Sequence, residues 1–454
     1  MPAAIEVSGP EPGAPAARRP PAAVAPERVA LAVFLCFAAV WRLGTKPGGE
    51  SWNENSRLAG IESLVERGTF RIDDSPFAAN TKDKVFIGGH YYCDKPPLFQ
   101  VIGAPVYALL RRLGCVLSPD RSVPGAIAGY RWLTFAVVGV PSAGMLAGLT
   151  LWALRRGTSL ARTLVVAGLT AFATSVWPYS LSLNNHLPAG AALLGCLLLS
   201  GSPATGEAGA ARLFAAGLLG GAAAGFDLVA ALPVAALSVV VLRHRGRALA
   251  FALGAALPLA VTLAADFMIS GSPLPPYFVP HAFRFPGSPF YDTIAASRPP
   301  RDVGIYAFQG TIGDRGLLAY SPVLVLALAG LVRRFKSWRQ PDAWASLALG
   351  LGIAAYVGYV FTHTDNHGGK AYGERYLVSI VAPLAFFGLY ALQRASRSAA
   401  LLALALTVPP STLSAAQGVA RTWTVTQPVI YLPTPPRLGL CSSLRDPDRP
   451  CWPQ

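Results

Sequence analysis

The chain has 454 residues, of which 53% are hydrophobic and 13% charged, with a mean hydropathy of +0.43 and a formal net charge of +15. Its apolar runs recur along the whole length instead of gathering in one core, which excludes a soluble protein of two or three domains and points to a single polytopic membrane domain. The basic residues cluster at the ends of apolar runs (Arg155-Arg156, Arg243 to Arg247, Arg333 to Arg339, Arg394 to Arg397), so the charge marks loops retained in the cytoplasm and excludes nucleic acid as the partner.

Residues 1–26, rich in Ala and Pro with Arg18-Arg19, read as a disordered cytoplasmic tail. Val29 to Leu43 lacks a small-residue cleavage site and reads as a first span, 29–44, not a removed signal peptide. Segment 45–126 is then a long outer loop. Within it, Glu54 to Arg67 reads as a helix with Leu58, Ile61 and Val65 on one stripe. Glu54 lies in the middle of that stripe and faces protein if the stripe docks, while Glu62 and Glu66 point elsewhere. Pro96 to Leu113 reads as an interfacial helix, its prolines in the first turn where missing amide hydrogens cost little.

Further apolar runs at 127–154, 163–180, 187–200, 211–226, 228–242, 248–269, 317–332, 343–361, 376–392 and 399–414 bring the expected helices to eleven. The positive-inside rule places the N-terminus in the cytoplasm and puts 45–126, 270–316, 362–375 and the tail 415–454 on the outer face, with residues 27–414 as one transmembrane unit. Of six histidines only His244 falls clearly inside, so any chemistry is expected outside. The cysteines show no CxxC and no metal spacing with histidine; Cys441 and Cys451 are candidates for a disulfide if the tail is extracytoplasmic.

The first outer loop carries WNENSR soon after the first span, then an amphipathic helix, then GGHYYCDKPPL opening the interfacial helix. This resembles the GT-C fold glycosyltransferases, in particular the group of protein O-mannosyltransferases and lipid A aminoarabinose transferases. The resemblance covers residues 45–113, with HGGKAYGERYLVSIVAPL (His367 to Leu384) similar to a segment of related bacterial membrane proteins. It implies an all-α bundle of about eleven transmembrane helices with interfacial helices in the first outer loop, in a bacterial-type inner (plasma) membrane. It also implies transfer of a sugar from a polyprenyl-phosphate donor to an extracytoplasmic acceptor (glycan, lipid or protein), with inversion and with no metal cofactor.

Such a reaction needs a carboxylate to take the acceptor proton and fixed cations to meet the growing charge of the departing phosphate. By the resemblance, Glu54 matches the second position of the family's acidic pair and is the first candidate base. Asn53 stands where better-known members have the first acid, which leaves Asp94 and Asp83 as alternatives; Glu54 can equally pair with Arg57. Lys95 matches the lysine associated with the lipid phosphate, with a snorkelling interfacial lysine as the other reading. Asp94 either orients Lys95, contacts the sugar or caps the helix. Arg375, Lys84 and Arg57 are further candidates for the phosphate, and Asn53, His186, His367, Tyr372 and Glu374 for the substrate. Glycines of the 362–375 loop are placed to bring backbone amides to a phosphate. His363, Asp365 and His367 have ligand types for a metal, but their pattern also occurs in plain polar loops. A transporter or lipid flippase would need ionisable residues at mid-membrane depth, whereas here they crowd one face. The missing acid at Asn53 also admits a non-catalytic scaffold with the same fold.

Overall fold

The computed structural model describes residues 25–201, 209–290, 302–340, 343–364 and 366–433; Asp365 and the Cys441–Cys451 pair lie outside them. Helix α1 (Pro26–Gly44) leads into α2 (Trp52–Glu66). A two-stranded antiparallel hairpin follows, β1 (Lys84–Ile87) with β2 (His90–Cys93), paired from Lys84 opposite Cys93 to Ile87 opposite His90. Gly88 and Gly89 turn the hairpin at φ +58° and +85°, the two left-handed residues that a two-residue turn requires. This hairpin is a departure from the all-helical expectation for the loop. Helix α3 (Pro97–Arg112) closes it, with Pro97 in its first turn.

The bundle comprises α4 (Ala126–Arg155), α5 (Leu160–Phe172), the short α6 (Val176–Ser180), α7 (His186–Ser200), α8 (Ala210–Phe226), α9 (Leu228–Val241) and α10 (Ala248–Ser270). It continues with α11 (Val303–Thr311), the short α12 (Leu317–Tyr320), α13 (Leu324–Lys336), α14 (Trp344–His363), α15 (Arg375–Gln393) and α16 (Arg397–Ala420). Each of the eleven apolar runs carries a helix. Among the described residues five, α4, α10, α14, α15 and α16, are long and apolar enough to cross a membrane, and the chain is an integral membrane protein. Two runs are interrupted. The run 317–332 breaks at Ser321, whose φ of −134° and ψ of +64° leave the helical region because Pro322 follows; the run 163–180 breaks between Phe172 and Val176.

Helix α2 departs from the amphipathic expectation. It is buried almost continuously from Asn53 to Ser63, Glu62 included, because the bundle covers one side and α3 and β2 cover the others. Small residues permit this closeness: a Cβ on Gly103 of α3 would lie 2.6 Å from the Ile61 side chain of α2. A smaller apolar cluster joins Phe70, Val85 and Tyr92 of the first loop to Ala265 and Ile269 of α10 and to Ala282 and Phe283. The loops 45–126 and 270–290 therefore gather at one end of the bundle.

Helices α8 and α10 meet backbone to backbone, since a Cβ on Gly217 would sit 2.0 Å from the Phe251 carbonyl oxygen and one on Gly254 would sit 2.1 Å from that of Phe214. Gly217→Leu should lower the melting temperature of the detergent-solubilised protein, an overpacking cost of at least ~1–3 kcal/mol. Gly144→Leu, at a position with nothing within 4 Å of its Cβ, should leave it unchanged.

Candidate active site

Three segments of the first loop converge. Asn53, Ser56 and Arg57 project from α2, Asp83 precedes β1, and Asp94-Lys95 occupies the step from β2 into α3. Pro96, at φ −49° and ψ +127°, is extended and Pro97 begins the helix, so the double proline fixes where Lys95 leaves the backbone. The Lys95 ammonium lies 2.7 Å from Asp94 Oδ2 and 3.0 Å from Asp83 Oδ2. Asn53 Nδ2 donates to the same Asp83 oxygen at 3.3 Å, and Ser56 Oγ donates to Asp94 Oδ1 at 3.3 Å. Among the described residues Asp83 Oδ1 has no hydrogen-bond partner. Fully buried Arg57 donates to the carbonyl and side-chain oxygens of Asn53 and to Asn185 Oδ1, and its buried Nε has no partner.

Burial alone would raise the Asp83 carboxyl, but the charges of Lys95 and Arg375 outweigh it and hold the group below its usual range. Asp94 goes the other way, raised by burial and by the neighbouring Asp83 against the pull of Lys95. Lys95 is raised because the two carboxylates overcome its desolvation. Burial draws Arg57 down to about 10 and pushes the Cys93 thiol up to about 11, so Cys93 stays neutral beside Ser56. Arg375 opens α15, is half-buried, and reaches the cluster by its field; its ring contacts are Tyr376 and Trp423, and its buried Nε is unpartnered.

Glu54 is 0% exposed and faces the bundle. One carboxylate oxygen accepts from Glu50 N at 2.7 Å and from Ser51 Oγ, and the other accepts from Tyr130 OH and from Leu183 N at 3.1 Å. Burial raises this carboxyl while those donors oppose the rise. Lys84 is directed away from the cluster, donating to the Ala78 carbonyl at 2.9 Å and resting 4.5 Å from the Tyr91 ring centroid.

Asn185, hydrogen-bonded to Arg57, also donates to the Phe226 carbonyl at 2.5 Å. Next to it, His186 Nδ1 lies 3.2 Å from Asp227 Oδ2, the oxygen that also accepts from Tyr356 OH at 2.7 Å and Ser379 Oγ at 2.5 Å. Asp227 additionally caps α9 through Val229 N. In the 362–375 loop, His367 stacks on Tyr306 at 4.0 Å and engages Glu374 Oε2 at 2.6 Å and Gln309 Oε1 at 3.3 Å. It does so from a left-handed backbone at φ +48°, a region uncommon outside glycine that Asn, Asp and His enter more readily than other residues. The Gly368 and Gly369 amides are both taken by Asn366, which differs from the expectation that they approach a phosphate. Tyr372 is buried under Tyr320, its backbone carbonyl accepting from Tyr179 OH.

The two histidines proposed as metal ligands part company. His363 is exposed and stacked on Tyr359, while His367 is turned into Glu374. Among the described residues no three His, Cys, Asp or Glu side chains come together in a metal-binding arrangement.

Solved structures share this architecture. That of ArnT from Cupriavidus metallidurans bound to undecaprenyl phosphate matches with a TM-score of 0.53 and 18% identity, over 85% of this chain and 63% of that one. The GT-C fold is present here. The Archaeoglobus fulgidus oligosaccharyltransferase in its apo form matches at 0.52 and 12% identity over 87% of this chain and 56% of that one. The archaeal oligosaccharyltransferase AglB from the same organism, in complex with an inhibitory peptide and a dolichol-phosphate, matches at 0.50 and 11% identity over 88% and 56%. This chain thus spans less than two thirds of the length of each of these GT-C structures. No family model matches the chain, and no curated protein matches it in sequence.

Sequence reasoning did not find Asn185 as the partner of Arg57, Tyr356 and Ser379 on Asp227, or Tyr306 and Gln309 around His367. Their partners lie 58 to 152 residues away, and neither spacing nor residue type announces such contacts.

Lys95→Met should leave two buried carboxylates without their ammonium, costing about 3–5 kcal/mol at neutral pH. In that variant both carboxyls are raised, so stability is retained at low pH and lost as pH rises through their folded-state values. Melting temperatures measured from pH 4 to 8 should therefore converge with wild type at the acid end; a constant offset would count against the pairing.

Proposed function

We propose that the protein is a membrane glycosyltransferase that moves a sugar from a polyprenyl-phosphate carrier to an acceptor on the extracytoplasmic face, with inversion. The observation that carries this reading is the Asp83–Lys95–Asp94 cluster flanked by Arg57 and Arg375: a carboxylate with a free oxygen beside several cations. The neighbouring solved structures bound to undecaprenyl phosphate and to a dolichol-phosphate support a lipid-phosphate donor.

In this mechanism the donor phosphate is met by Lys95, Arg375 and Arg57. Asp83 is the base. It is held ionised, and its Oδ1 is unoccupied, so it can accept the acceptor's proton as the new bond to the anomeric carbon forms. The carbon–oxygen bond to the phosphate breaks on the opposite face, and the phosphate gains a negative charge that the cations offset. Asp94 holds Lys95 in place. Glu54, with both oxygens supplied by protein donors, positions α2 and is a weaker candidate for the proton. Asn53 keeps Asp83 oriented, and the His186 and His367 networks line the approach to Arg57 and Arg375, where they contact substrate. The distribution of basic residues supports this face, with the N-terminus in the cytoplasm, and residues 27–414 are proposed as the catalytic unit.

The test is an assay of the purified protein with radiolabelled polyprenyl-phospho-hexose or -pentose and a panel of acceptors, scoring both product and released carrier. Asp83→Asn should lower kcat by about 10²–10⁴-fold with donor binding kept. Lys95→Met should weaken donor binding itself. Glu54→Gln should destabilise the fold by ~1–3 kcal/mol for the donors left unmatched, read as a lower melting temperature, with a smaller effect on kcat. Donor translocated with its sugar still attached, or no turnover with any acceptor, would favour a flippase or a scaffold.

A further inference from the structure

A second charged site is lined by residues that take no part in the carboxylate cluster. Arg42 in the last turn of α1, Arg121 in the link to α4 and Arg131 in the second turn of α4 line one open cavity of about 410 Å³, together with Ser122, Gly125 and Ile127. That volume falls within the range of roughly 300–1,000 Å³ typical of small-ligand sites. Among the described residues none of the three arginines forms an ion pair, and the Nε atoms of Arg42 and Arg131 are buried without an acceptor. The nearest acid in sequence, Asp120, is exposed and turns its Oδ1 to the amide and hydroxyl of Ser122.

The cavity is also the N-terminus of α4, a helix continuous from Ala126 to Arg155. Gly125, at φ +84°, brings the chain into that helix, and no side chain caps it. The Ala126 amide donates to the Val123 carbonyl, and the positive end of the helix dipole adds to the field of the three guanidinium groups. One cation has a partial explanation: Arg42 complements the C-terminus of α1 and lies 3.9 Å from the Trp132 ring centroid. Arg121 and Arg131 have none. In the orientation proposed above they lie outside, so they are not the retention signals that cytoplasmic arginines supply.

Apolar side chains are exposed at the opening: Ile127 and Val123 of its lining are 38% and 37% exposed, and Trp132, against Arg42, is 41% exposed. Guanidinium groups beside exposed Ile, Val and Trp side chains suit a membrane interface, where a charged headgroup and its apolar chains meet. We propose that this cavity binds the phosphate headgroup of an anionic lipid, through Arg42, Arg121, Arg131 and the first turn of α4, independently of the Asp83–Lys95 site.

The test uses the full-length protein in a neutral detergent, with dihexanoyl phosphatidic acid, dihexanoyl phosphatidylcholine and inorganic phosphate as separate probes. Phosphatidic acid should bind at least tenfold more tightly than the choline ester, and the Arg121→Gln/Arg131→Gln double variant should lose at least tenfold of that affinity. Phosphatidic acid should also slow the modification of Arg121 by phenylglyoxal in the wild-type protein, read by peptide mass spectrometry, a measurement that requires no variant to fold. Inorganic phosphate binding as tightly as phosphatidic acid would overturn the lipid source. Unchanged Arg121 reactivity, or equal affinity in a double variant that melts like wild type, would overturn the site.

Discussion

An ammonium group taken out of bulk water must be met by fixed negative charge, or it surrenders its proton. Lys95 is 15% exposed and has two carboxylates within 3.0 Å, and neither lies on the element that carries the other. Asp83 comes from the chain ahead of the hairpin and Asp94 from the chain behind it, so the ion cluster closes the hairpin at its open end. Set against Lys95, Arg57 and Arg375, the two carboxylates leave one positive charge over. In the proposed function, that excess is the charge that offsets the donor phosphate.

The cluster keeps its geometry because α2 is clamped from both sides. On one face Asn53 and Arg57 are tied to Asp83 and to Asn185; on the other the Glu54 carboxylate receives donors from its own approach segment, from Tyr130 of α4 and from the backbone at Leu183. The adjacent residues Asn53 and Glu54 thus have separate tasks, one toward the ion cluster and one toward the bundle. A buried carboxylate with its lone pairs filled resists movement, since releasing any donor leaves an unmatched group in a dry place. That rigidity lets a short loop helix serve as a platform.

Much of this was legible in the sequence. Hydropathy and the basic clusters marked the membrane helices, the prolines marked the start of α3, and a resemblance strongest over residues 45–113 drew attention to the residues that do gather around Lys95. Less legible was the hairpin, although Val85-Phe86-Ile87-Gly88-Gly89-His90-Tyr91-Tyr92 contains its turn signal. The continuous burial of α2 was also missed, because an amphipathic pattern reports one docked face and is silent about a second partner that covers the other.

The order of apolar and basic segments and the residue types at Asp83, Asp94 and Lys95 are properties of the chain itself; they follow from transfer free energies and local backbone preference, which need no partner. The division of labour among the acids is different. Asp83 and Glu54 are both carboxylates in the same loop, yet one has an oxygen free beside Lys95 and the other has four donors, two of them from residues 76 and 129 positions distant. Only the packed structure decides that, because hydrogen-bond supply and burial depend on which distant segments arrive, and no local rule names them.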